Sequence, residues 1–174
     1  MADDTDDERR AFDDLFSATY EELKRLAASV KSSFARLTLS PTALVDEAWE
    51  RLRRSPKLAG LSRLEFRRVA ARAMRQVLVD AARRVDASKR HVELVTLDPS
   101  TGQPALDARQ VLEIDHELGK LARSDPEAAQ LIEYRYFAQM TDAEIAELMG
   151  TSLSAVDRKW RYVKARLKKL LLEA

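Results

Sequence analysis

Leu153, Val156, Trp160, Val163, Leu167 and Leu170 advance in steps of three and four, which on a helix puts all six on one stripe. The same spacing returns in Phe66, Val69, Ala70, Ala73, Val77 and Ala81, and in shorter form in Leu44, Val45, Ala48, Trp49 and Leu52. Phe12, Leu15, Phe16, Leu23, Leu26 and Val30 mark one or two further helices between about residues 10 and 35. Only four glycines and five prolines stand among 174 residues otherwise rich in Ala, Leu, Arg and Glu, so little interrupts helix formation. The fold class is all-α, with about six or seven helices.

Helix starts are written in the chain. Ser40 is placed to cap a helix that opens on Pro41 and closes before Pro56. Ser62 with Glu65, and Thr141 with Glu144, have the spacing of capping boxes, in which a hydroxyl and a carboxylate each satisfy an otherwise orphaned backbone amide. Ser152 or Ser154 caps the last helix. Further helices are expected from about Arg109 to Ala122 and through PEAAQLIEYRYF, where Tyr134, Tyr136 and Phe137 pack between helices. Pro99, Gly102 and Pro104 interrupt periodicity between the two helical halves and mark a linker.

Several classes of function are excluded early. The chain has no cysteine, so thiolate and disulfide chemistry are absent, and His91 and His116 are too few for an obvious metal cluster. No cofactor is expected. Asp115 and His116 are adjacent, but helical neighbours point about 100° apart, and neither a nucleophile nor a glycine-rich phosphate loop accompanies them. No enzyme is expected. No run of 18 apolar residues occurs and MADDTDDERR lacks the character of a secretory signal, so a soluble, cytoplasmic chain without membrane partners is the expectation.

Net charge is only +1, yet its distribution is uneven. Residues 1 to 22 carry nine acids against Arg9 and Arg10. Residues 63 to 90 carry nine bases against Glu65, Asp80 and Asp86. That excess of six lacks the paired acids of a neutral salt-bridged face, so the arginines should form an outward basic ridge that meets a polyanion. Residues 107 to 147 are acidic again, and seven bases with no acid follow from Arg158 to Lys169.

Ala146, Gly150 and Val156 have the spacing of a helix-turn-helix, which needs a small contact residue and a permissive turn. With the stripe buried, Ser152, Ser154, Ala155, Asp157, Arg158, Lys159, Arg161 and Tyr162 are left to face solvent or a major groove. Trp160, inside the stripe, is a core residue rather than a stacking platform.

Taken in order, PTALVDEAWERL, FRRVAARAMRQVLVDAARR, a linker and DPEAAQLIEYRYFAQMTDAEIAELMGTSLSAVDRKWRYVKARL resemble the extracytoplasmic-function (ECF) sigma factors, of the sigma-70 superfamily of bacterial RNA polymerase, from about residue 10 to 170. The RAMRQVLVD run is similar to one subgroup of them. The resemblance implies two small helical domains joined by a flexible linker: an acidic disordered tail (1–9), a domain for polymerase docking and for reading and melting the minus-10 element (10–92), a linker (93–108), and a helix-turn-helix domain for the minus-35 element (109–174).

It further implies that Asp46, Glu47, Glu50 and Arg51 dock on the clamp helices of the polymerase β′ subunit. Arg72, Arg75, Gln76, Asp80, Arg83, Arg84, Lys89 and Arg90 would contact minus-10 DNA, with the loop from Val85 to His91 holding an unpaired base. Ser154, Ala155, Asp157, Arg158, Lys159 and Arg161 would contact minus-35 DNA. Asp98 and Asp107 would suit a linker threaded along a nucleic-acid channel. Core RNA polymerase (β′ clamp helices, β flap) and promoter DNA are the implied partners, with an anti-sigma protein or a Ser/Thr kinase acting near Ser55 and Ser62 as possible regulators.

The chain departs from the family pattern at Asp157, where Lys or Arg is common, at Ala81, where the subgroup often carries histidine, and at His91-Val92-Glu93, which replaces a glycine-rich continuation. An acid at 157 repels phosphate but accepts from a cytosine amine. Two rivals follow: a free-standing helix-turn-helix regulator, and an inactive sigma-like protein that titrates polymerase.

Overall fold

The computed structural model describes residues 2–33, 39–54, 58, 60–89 and 107–172. Among them every regular element is helical: α1 (Ala2–Ser33), α2 (Pro41–Leu52), α3 (Arg63–Lys89), α4 (Ala108–Ser124), α5 (Pro126–Ile132), which runs into a π-helical segment (Glu133–Phe137), α6 (Asp142–Met149) and α7 (Leu153–Leu172). The all-α expectation holds. Most of the linker expected at 93–108, with Asp98, lies outside the described residues, as do Ser55, Arg90 and His91.

Local chemistry explains where the helices begin. The Ser40 hydroxyl accepts from the Ala43 amide at 3.1 Å, with Pro41 in the first helical position. Ser62 and Glu65 form the expected capping box, with amide-to-side-chain distances of 2.8 and 3.3 Å. Asp107 is the N-cap of α4 and exchanges hydrogen bonds with Gln110. Asp125 caps α5 ahead of Pro126. α1 begins at Ala2, earlier than the expected start near residue 10, and the residues expected to form a disordered acidic tail lie in its first turns. The positive end of a helix dipole favours acids there.

Phe12, Phe16 and Trp49 stack between α1 and α2, with centroid distances of 4.5 Å (Phe12 to Trp49) and 4.0 Å (Phe16 to Trp49), and Phe66 meets Phe12 edge-on. Phe66, Met74 and Val77 of α3 and Leu44 and Val45 of α2 are almost wholly buried. In the C-terminal half, Leu131, Ile145, Val156 and Val163 form the corresponding centre. One contiguous core runs through both halves, because α3 packs on α1 and α2 and also on α4, the π segment and α6. Leu78 and Val79 of α3, Val111 of α4 and Phe137 of the π segment line that seam.

Two packing expectations need correction. Tyr136 is 57% exposed, since the wider π turn carries Tyr134 and Phe137 inward and leaves Tyr136 on the outer side. Leu153 is 55% exposed: it opens α7, and the covered part of the stripe starts at Val156. Val156, Trp160 and Val163 are buried as expected, while the side chains of Leu167 and Leu170 lie outside the described residues.

Candidate nucleic-acid interface

The basic ridge of α3 is not the free face its sequence suggests. Acids missing within the helix arrive from elsewhere in the chain. Arg63 donates to Glu22 of α1 at 2.9 and 2.6 Å. Arg67 donates to Glu22 at 3.0 Å, to Glu144 of α6 at 2.8 and 2.9 Å, and to the Gln139 carbonyl at 3.4 Å. Arg75 bridges Asp115 of α4 at 2.7 Å and Glu133 of the π segment at 3.1 Å. Arg83 lies 3.1 Å from Asp80 and 3.7 Å from Asp115. The Arg67 and Arg75 side chains are only 13% and 21% exposed. The expectation of an outward, acid-free ridge is therefore corrected for Arg67 and Arg75, whose partners are distant in sequence, where a count within one helix cannot find them; Arg63 and Arg83 are also paired but stay mostly exposed.

Arg72, Gln76, Arg83 and Arg84 keep exposed positions along α3. Gln76 donates to Asp80 at 3.1 Å, and Arg84 approaches Glu47 at 4.0 Å. Lys89 ends α3, but its side chain, like all of Arg90, is outside the described residues.

Asp46, Glu47, Glu50 and Arg51 of α2, with Arg54 just past its end, line one shallow surface depression opposite the buried Leu44, Val45 and Ala48. Asp46 and Glu50 are exposed. Arg51 donates to Asp80 at 2.9 Å, which fastens α2 to α3. The candidate docking residues and the candidate minus-10 residues thus adjoin. A single chain of charges runs Arg51, Asp80, Arg83, Asp115, Arg75, Glu133, from the outer helix α2 to the C-terminal half.

These contacts leave their mark on the acids. Burial raises the pKa of Glu22, but hydrogen bonds from Arg63 and Arg67 outweigh it and leave the carboxyl below its ordinary value. Glu144 and Asp80 are likewise pushed up by burial and drawn down further, Glu144 by Arg67 and Thr141, Asp80 by Arg51 and Gln76.

In the C-terminal half, Thr141 and Glu144 form the expected capping box at the start of α6. Gly150 ends that helix at φ 61°, a left-handed conformation that favours glycine, and the Thr151 amide returns to the Ala146 carbonyl at 2.9 Å. Ser152, rather than Ser154, then caps α7 by accepting from the Ala155 amide at 3.2 Å. Ser154, Asp157, Arg158, Arg161 and Tyr162 are exposed on one side of α7, and Ala155 is half-buried beside them. Asp157 pairs with Arg161 at 3.2 Å along the helix.

Lys159 departs from this group. It donates to Asp125 at 3.1 Å and pairs with Glu127 at 3.3 Å, so it points at the start of α5 rather than away from the protein. Burial lowers its pKa, and the bonds to Asp125 and Glu127 more than restore it, leaving the ammonium above its ordinary value. Trp160 is buried beneath the guanidinium of Arg135, which stands 4.5 Å from the ring centroid and also pairs with Asp142. It is a core residue, as its stripe implied.

Sequence reading missed Glu22, Asp115, Glu133 and Glu144 as partners of the ridge. The available signal was the alternation of sign between segments, which places acidic runs on both sides of the basic one. Among the described residues, no group of three or more His, Asp or Glu side chains could hold a metal, and no helix is long and apolar enough to cross a membrane. His116 lies exposed on α4.

Among the described residues every regular element is helical, and α3 is packed between α2 on one side and α4 with the π segment on the other. Residues 3–172 match the ECF sigma factor family, and the chain belongs to that family. It is accordingly of the class of alternative sigma factors, which are transcription initiation factors. No curated protein and no solved structure matches it.

Proposed function

We propose that this protein binds core RNA polymerase through the exposed acidic face of α2 and directs initiation at promoters read by α3 and α7. The observation that carries the proposal is family membership over residues 3–172, to which the geometry adds residues of suitable chemistry in suitable places. Asp46 and Glu50 stand open on α2, where charges can steer a basic partner. Arg72, Gln76 and Arg84 line α3 in reach of a strand. On α7, Ser154, Asp157, Arg158 and Arg161 form the reading side, with Asp157 suited to a cytosine amine and Arg158 to phosphate or guanine. Lys159 supports the fold at α5 and is left out of the reading set. Polymerase would be required for tight promoter binding, because two small basic surfaces alone give little more than salt-sensitive attraction.

Run-off transcription from a promoter library, with purified core enzyme and with or without this protein, tests the reading. New transcripts sharing upstream motifs are expected. If core enzyme gains no new start sites while a palindromic duplex binds the free protein as a dimer, the helix-turn-helix regulator is the better account.

A further inference from the structure

Gln76 stands exposed on the outer side of α3, and Asp80 follows it by one helical turn. The Gln76 Nε2 donates to Asp80 Oδ1 at 3.1 Å, a contact between residues that neighbour each other on a helix surface. Two arginines hold the same carboxylate from other directions. Arg51 of α2 donates to Oδ2 at 2.9 Å, and Arg83 of α3 donates to Oδ1 at 3.1 Å. Both oxygens are engaged, so Asp80 cannot turn without losing a charge-assisted hydrogen bond.

An ionised carboxylate only accepts, whereas a glutamine amide donates at one end and accepts at the other. Asp80 therefore fixes which way round Gln76 stands. The amide nitrogen is turned to the carboxylate, and among the described residues no donor reaches the carbonyl oxygen. We propose that Asp80 is a positioning residue for base selection: by holding the Gln76 amide in one orientation, it makes that side chain select adenine or cytosine over thymine or guanine.

The chemistry of the base edges gives this choice. Adenine and cytosine present an exocyclic amine beside a ring-nitrogen acceptor, which meet the Gln76 carbonyl and its remaining N–H in that order. Thymine and guanine present the reverse, a keto oxygen beside a ring N–H, and fit a glutamine turned the other way. A glutamine free to flip matches both kinds of base; one pinned by Asp80 leaves the keto bases with acceptor against acceptor, a mismatch that discriminates by repulsion. Because Arg51 anchors Asp80 from α2, the orientation of the reading side chain depends on two helices rather than on α3 alone. The inference rests on α3 meeting the minus-10 strand, as proposed above.

Run-off transcription with core enzyme, on promoters varied one base at a time through the minus-10 element, tests it. At one position the unmutated protein should favour adenine or cytosine about tenfold over thymine or guanine, within the range of discrimination by paired base contacts. Gln76→Ala should abolish that preference there and leave the other positions alone. Asp80→Ala frees the amide, and Asp80→Asn meets it either way round, so each should bring the ratio close to parity at the same position. In the Gln76→Ala background, Asp80→Asn should not move the ratio further. The readout compares two promoters with one preparation, so a loss of folded protein lowers both products alike and leaves the ratio unchanged. A tenfold ratio that survives both Asp80→Ala and Asp80→Asn would overturn the proposal, as would a preference that Gln76→Ala alters at no position. Absence of new start sites with the unmutated protein removes the sigma reading and this inference together; start sites whose base preference ignores Asp80 remove this inference alone.

Discussion

At the scale of single residues, position and charge make different demands. Gly150 has open space where a Cβ would stand, so Gly150→Ala meets no clash and costs only the left-handed backbone, about 1 kcal/mol. A fall in melting temperature of a few degrees with unchanged helical circular dichroism is expected. Glu22 and Glu144 have folded pKa values below their unfolded ones, so ionised they stabilise the fold. That contribution is complete above the unfolded value of about 4.3 and is lost as pH falls through the folded value. Glu22→Gln should therefore be less stable than the unmutated chain at neutral pH, and the gap should close progressively below about pH 4. Denaturant titrations across that range check it, and a gap that widens in acid would contradict it.

At the scale of helices, what the sequence disclosed depended on how far apart the interacting groups lie. The Ser62–Glu65 and Thr141–Glu144 boxes are written within four residues and were read correctly, as were Ser40–Pro41 and the stripe from Val156 to Val163. Arg67 to Glu144 spans 77 positions and Arg75 to Glu133 spans 58; no local pattern announces such pairs. The expectation that Lys159 faces outward is corrected for the same reason, since its partner Asp125 lies 34 residues before it. The correction makes a prediction for α7. Arg158→Ala should weaken binding to promoter duplex in the polymerase complex and reduce the salt dependence by about 0.9 in the logarithmic slope, as one lost phosphate contact does. Lys159→Ala should leave that slope unchanged and lower thermal stability instead. Equal slopes for the two variants would return Lys159 to the DNA-facing side.

At the scale of the molecule, α3 is the shared wall of both halves, facing the aromatic stack of α1 and α2 on one side and α4 with the π segment on the other. Composition and periodicity disclosed two helical halves but not their contact, because an apolar seam residue such as Val79 or Val111 looks like any other core position. The exposed acids of α2 lie across α3 from that contact, and Arg51 donates to Asp80, so the face proposed to dock polymerase adjoins the face proposed to meet DNA. If α2 docks on polymerase, reversing its open charges should disable the protein without unfolding it. The most direct test is run-off transcription with core enzyme and the double variant Asp46→Lys with Glu50→Lys. Product should fall by about 100-fold, since like-charge juxtaposition at an interface costs several kcal/mol, while the melting temperature stays within a few degrees. Undiminished transcription from the same promoters would contradict polymerase docking through α2.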